Sequence, residues 1–171
     1  MELYQLLLLL STFLCALVAG FLFAFAIVVM PGIKNLGDRE FIRAFQVMDR
    51  IIQNNQPIFL LVWVGSALAI IAALVLGFAR LDGSDLLLLI GATLLYIFGV
   101  QVPTVIVNVP LNNKLQTLDV DNTDEAGLRS AREEFESRWN RWNLMRTVIA
   151  SLVSLLLIVL LILISVSYTH L

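Results

Sequence analysis

The chain is poor in the residues that build most catalytic and metal centres. It has one cysteine, Cys15, and one histidine, His170. A lone cysteine excludes an internal disulfide, a CxxC redox pair and a thiolate metal cluster. A lone histidine excludes a bis-histidine haem or a multi-histidine metal centre within one chain. No Ser–His–Asp or Cys–His set can be assembled, and no glycine-rich phosphate loop occurs. Charge is scarce, at 14% of the residues against about 25% in an ordinary soluble domain. The net charge of −2 comes without a basic block, so nucleic acid is not an expected partner.

What the chain has is apolar length. Hydrophobic residues make up 60% of it, and four runs, 6–30, 58–78, 86–109 and 147–166, contain no Asp, Glu, Lys or Arg. About 20 apolar residues at ~1.5 Å rise cross a ~30 Å hydrocarbon core, and a helix satisfies its own backbone groups there. The predicted fold class is therefore all-α. It is an integral membrane four-helix bundle, one domain over 1–166, with an amphipathic helix in each of two cytoplasmic loops. The first run reads as a retained span: Glu2 stands where a signal peptide is basic, and the run exceeds the ~7–15 residues of an h-region.

All lysines and arginines except Arg80 fall in the segments joining spans one to two and three to four. The positive-inside rule makes those loops cytoplasmic and puts both termini outside, with a bacterial inner membrane as the expected location and lipid as the surrounding partner. Between spans two and three, Asp82-Gly83 is turn chemistry, and Ser84 or Asp85 is the expected cap.

The first cytoplasmic loop contains Phe41, Ala44, Phe45, Met48, Ile51 and Ile52 at helical spacing, with Asp38 as the expected cap and Pro57 opening span two. It reads either as a lid over a cavity or as an interfacial helix on the headgroups. Arg43, Asp49 and Arg50 read as its solvated face. The second loop carries Asn122 and Glu125 at capping-box spacing. Leu128, Ala131, Phe135, Trp139 and Trp142 then mark one face of a helix expected to run unbroken into span four.

Small residues recur on helical stripes: Ala16, Gly20 and Ala24; Gly65, Ala69, Ala73 and Gly77; Gly91 and Gly99. They serve packing within the chain or a homo-oligomer contact. Met30-Pro31 and Val109-Pro110 end spans one and three alike, which is either a duplicated two-span unit or chance.

Gln101, Thr104, Asn108 and Asn112 fall on one narrow face of the third helix. Amides at membrane depth are costly unless paired, so this face is expected to point into the bundle, as a polar cavity or as interhelical hydrogen bonds. Pro103 removes a helix bond that a nearby amide can replace. Trp139, Trp142 and Arg146, with Asn143 beside them, read as membrane-boundary anchors or as an aromatic pocket with one cation for a flat aromatic anion. There is no membrane-embedded carboxylate of the kind a small multidrug transporter carries.

Val29-Met30-Pro31-Gly32, Asn108-Val109-Pro110-Leu111-Asn112 and Trp139-x-x-Trp142-Asn143-x-x-Arg146-Thr147 occur in this order. From about Phe21 to Ser154 the chain resembles the anthrone-oxygenase-like family of small integral membrane proteins. The resemblance implies a four-helix membrane fold and, as in some fungal members, oxidation of an anthrone to an anthraquinone with no metal and no cofactor. It makes Asn108, Asn143 and Arg146 the candidate catalytic residues. Arg146 would stabilise an enolate, Asn108 and Asn143 would donate hydrogen bonds, and Trp139 and Trp142 would stack on the ring. Gln101, Thr104 and Asn112 complete the candidate substrate-binding set, for a hydrophobic small molecule. Leu144 stands where members often have histidine, and no general base is visible. The alternatives are a non-enzymatic binding or structural membrane protein and a small carrier of lipophilic molecules. Residues 167–171 resemble translated sequencing-adapter DNA, and His170 is expected to have no role.

Overall fold

The computed structural model describes residues 3–169, with side chains through Val166; His170, Leu171, Met1 and Glu2 lie outside the described residues. Five helices account for nearly all of it: α1, Leu3–Ile33; α2, Asp38–Gln53; α3, Pro57–Gly77; α4, Gly83–Gln116; and α5, Glu125–Thr169. Helices α1, α3, α4 and α5 are long and apolar enough to cross a membrane. Large apolar side chains cover the outside of the bundle, Phe13, Leu61, Leu68, Leu87 and Phe98 among them. Such a surface is stable only against lipid.

The chain has one continuous 45-residue helix in α5. At ~1.5 Å per residue it is about twice as long as the hydrocarbon core is thick, so its first half rises beyond the bilayer. There α2, the end of α4 and the start of α5 enclose a second core of Met30, Phe41, Phe45, Leu111, Leu128 and Phe135. The membrane core is built from Leu8, Cys15, Leu22, Ile70, Tyr96, Val153 and Leu157.

Gly99 brings α4 against α5: a Cβ there would stand 2.8 Å from two carbons of Ile149. Ala69, Ala73 and Gly77 are buried within the chain, whereas Ala16, Gly20 and Ala24 lie on the outer surface of α1.

Three wide turns interrupt the spans, at Phe25–Val29, Ile97–Gln101 and Thr104–Asn108. In them the amide of Met30 bonds the carbonyl of Phe25, Val102 that of Ile97, and Val109 that of Thr104. Each lies close to a proline, which supplies no N–H to the helix ladder. The backbone thus absorbs Pro103 by widening, and Gln101 turns elsewhere, its Nε2 donating to the Trp63 carbonyl at 3.4 Å. The wide turns before Met30-Pro31 and Val109-Pro110 are alike, so the likeness of the two span ends extends to their backbone.

The helix caps differ from expectation. Gly37, not Asp38, precedes α2, which frees the Asp38 carboxylate to accept from Arg132 at 3.0 Å. Asp82 precedes α4 without a side-chain cap. Asp124, one residue before α5, accepts from the Gly127 amide at 2.9 Å and takes the place expected of Asn122.

Helix α2 is folded onto the bundle over the cavity end, with Val47 and Ile51 exposed on its outer face. Its buried stripe is Phe41, Ile42, Phe45, Gln46 and Asp49, about one residue away from the stripe that apolar spacing alone selects. Gln46 is a polar member of this stripe: its Nε2 donates to the carbonyls of Leu115, in the last turn of α4, and of Leu118, just beyond it, at 2.8 and 2.9 Å. Guanidinium groups tie the lid down. Arg39 bonds Glu125 at 2.9 Å and the Val120 carbonyl. Arg132 bonds the Lys34 and Leu36 carbonyls at 2.6 and 2.8 Å and lies 4.3 Å over the Phe41 ring.

Candidate functional site

Beneath the lid, where α1, α3, α4 and α5 converge, lies a cavity of about 300 Å³, the lower end of the range for small-molecule sites. Its walls are aromatic. Phe21 and Phe25 come from α1, Phe45 from α2, Phe59 and Trp63 from α3, and Trp139 from α5. Successive rings touch, with Phe21–Phe59 at 5.3 Å, Phe59–Trp63 stacked at 5.5 Å, Phe25–Trp139 at 5.7 Å and Phe45–Trp139 at 5.5 Å. Sequence pattern alone misses Phe21, Phe25, Phe59 and Trp63. The available signal is that each pair is spaced i, i+4, which stacks side chains on one helix face.

The polar groups enter from α4 and α5. Thr104, Asn108, Asn112, Trp139, Asn143 and Arg146 all line the cavity, so the polar faces of these helices do turn toward each other. Arg146, 3% exposed, donates through Nη1 to Thr104 Oγ1 at 2.7 Å and through Nη2 to Asn143 Oδ1 at 3.1 Å. Asn143 Nδ2 donates to the Leu22 carbonyl at 3.1 Å, which fixes the amide and hence the guanidinium. Arg146 Nε has no partner, nor has either atom of the Asn108 amide, although Asn108 is 2% exposed. Orphaned buried polar groups cost about 1–3 kcal/mol each, and both residues that carry them, Asn108 and Arg146, line this cavity.

Two candidates lie elsewhere. Gln101 sits a turn deeper in the membrane on α4 and is not part of the wall. Trp142 is turned off the cavity by its helical position and packs against the lid-side core. Leu144 is 57% exposed on the outer side of α5, so a side chain at that position is outside the cavity whatever its chemistry.

Asp49 is the residue that periodicity misplaces. It is 4% exposed rather than solvated and forms part of the cavity wall. Its Oδ1 accepts from Asn112 Nδ2 at 2.8 Å and its Oδ2 from Gln53 Nε2 at 2.6 Å. Asn112 Oδ1 in turn accepts from Trp139 Nε1 at 2.8 Å. Burial pushes the Asp49 carboxyl above the ordinary carboxylate range, and the Gln53 and Asn112 amides hold it back in part. Among the described residues no group of three or more His, Cys, Asp or Glu is placed to hold a metal ion.

A family model described as anthrone oxygenase matches residues 53–157. The chain belongs to the anthrone oxygenase family. No curated protein and no solved structure matches it. The matched stretch carries most of the cavity: both halves of the Arg146–Thr104 contact, Asn108, Asn112, Phe59, Trp63, Trp139 and Asn143. Asp49 and the α1 rings of this anthrone oxygenase family member precede it.

Proposed function

We propose that this protein is a membrane oxygenase that binds a flat, lipophilic aromatic ketone of the anthrone type and admits dioxygen to its enolate. One observation carries the reading. Arg146 is a buried cation with no carboxylate in ion-pair range among the described residues, set in an aromatic cavity beside the unpaired Asn108 amide. A buried unpaired charge is costly, and an oxyanion on a planar ring system relieves it. The rings of Phe59, Trp63 and Trp139 offer faces for stacking. Arg146 and Asn108 supply donors where negative charge develops, a contribution of about 3–4 kcal/mol per donor in comparable sites. Asn143 and Thr104 hold Arg146 in place. Asn112 acts on the lid side, and neither Gln101 nor Trp142 is assigned substrate contact.

The way in is lateral. Helix α3 packs on α1 and on the first half of α4, then parts from the second half of α4. Leu60, Val105 and Val109 line the cavity there and are also exposed on the outside. A substrate dissolved in lipid enters between these helices without crossing water. The segments around the lid hold all the basic residues except Arg80, which supports an orientation in a bacterial inner membrane with the lid end on the cytoplasmic side and both termini outside.

The test is dioxygen consumption and anthraquinone formation by the purified protein in lipid nanodiscs supplied with anthrone. Turnover above the buffer rate is expected, with Arg146→Ala and Asn108→Ala each slower by about 100-fold. Equal rates in wild type and both variants overturn the assignment. Anthrone binding without turnover identifies a carrier instead.

A further inference from the structure

A carboxylate is out of place in so apolar a cavity unless it does something an amide cannot. Asp49 reaches the wall from the lid and carries no cation: among the described residues no lysine or arginine lies in ion-pair range of it. Two amides hold it instead, Asn112 on one oxygen and Gln53 on the other. A carboxylate has about four acceptor positions, so lone pairs remain on both oxygens. The one other charged side chain in the wall is Arg146, which enters from α5. A base and a cation thus share one water-poor space, and neither neutralises the other by direct contact.

Resting on the oxygenase reading above, we propose that Asp49 is the general base of this site and takes a proton from the methylene carbon of the bound ketone. The C–H electron pair passes into the ring system and leaves an enolate whose oxygen is held by Arg146 and Asn108. Dioxygen is the oxidant. It forms a C–O bond at the former methylene carbon, and the resulting peroxide takes back the proton from Asp49. Loss of the second methylene proton with cleavage of the O–O bond then releases water and leaves the second quinone carbonyl. Carbon gives up four electrons, dioxygen accepts four, and Asp49 returns to its starting state. No histidine or cysteine lines the cavity, and position 144 faces outward, so no other side chain in the wall offers a base of this strength. Burial strengthens it, since a carboxyl held above its ordinary range is a better proton acceptor.

The decisive experiment separates proton removal from oxidation. Anthrone deuterated at its methylene carbon is added to the full-length protein in nanodiscs under strictly anaerobic conditions, and loss of deuterium to water is followed by mass spectrometry. Wild type is expected to accelerate exchange, and Asp49→Asn to slow it by at least about 100-fold. Asp49→Glu is expected to restore part of the rate, and all three proteins to bind anthraquinone within about three-fold of one another, which shows that the variants fold. Exchange by Asp49→Asn at the wild-type rate overturns the proposal, as does a wild type that does not accelerate exchange. Wild-type exchange without dioxygen uptake in air leaves Asp49 as the base and overturns the oxygenase reading alone.

Discussion

Asn108→Leu distinguishes a binding residue from a residue that merely holds the bundle together. Neither amide atom of Asn108 has a partner, and the side chain is almost wholly enclosed. If Asn108 held helices together, its removal would destabilise the protein. An unpaired buried amide instead carries a desolvation cost of about 1–3 kcal/mol. Leucine is close to asparagine in size, the adjoining cavity leaves room for the small difference, and no hydrogen bond is lost. The variant is therefore expected to be more stable by about 1–2 kcal/mol, a net figure that allows for some repacking strain. Binding of anthraquinone should weaken by about tenfold, the equivalent of about 1.4 kcal/mol for one lost hydrogen bond to a ketone oxygen. Stability is measured by reversible denaturant titration in micelles, affinity by quenching of tryptophan emission. A variant less stable by more than about 1 kcal/mol with unchanged affinity refutes the reasoning, because it means Asn108 has a structural partner in the free protein.

Four further outcomes follow from the same geometry. Gly99→Ala places a methyl 2.8 Å from Ile149, whose branched side chain is stiff, so it should cost about 1–3 kcal/mol. Gly91→Ala meets nothing within 4 Å and should leave the midpoint of the same denaturant titration unchanged or raised. Val105→Trp fills the lateral opening, where Val105 is 63% exposed. It should slow uptake of anthraquinone from liposomes at least about tenfold in stopped-flow fluorescence while leaving thermal stability within about 1 kcal/mol. For Asp49 the sign is set by its raised folded-state pKa. The folded protein keeps this proton to higher pH than the unfolded chain, so the stabilisation is fully present below the ordinary value of 3.8 and is lost as pH rises through the folded value. The charged groups nearby are Arg146 across the cavity and Arg50 on the exposed side of α2, with neutral Asn112 and Gln53 in contact. Relative to wild type, Asp49→Asn should therefore gain thermal stability as pH rises above 3.8, and a difference that does not change with pH contradicts the assignment.

The solvent, the number of spans and the unbroken α5 are legible in the residue order because they rest on local physics. An uncharged apolar run of sufficient length has one stable form in lipid, and no proline or glycine falls between Ala131 and Val166 to break the last helix. The inward direction of Thr104 and Asn108 is also legible, since lipid tolerates such groups only inside a bundle, whereas Asn143 and Arg146 read as boundary anchors as well as pocket residues. Tertiary structure decided the rest. Apolar spacing misplaces Asp49 because α2 sits about one residue round from its apolar stripe, with Gln46 turned in to the Leu115 and Leu118 carbonyls. The aromatic walls from Phe21, Phe25, Phe59 and Trp63 depend on which helix faces meet, and in apolar spans every face is equally acceptable to lipid. Hydrophobicity therefore fixes that these helices cross the membrane, while only the close packing at residues such as Gly99, the wide turns beside prolines and the few polar contacts between helices choose their rotation, and with it the composition of the site.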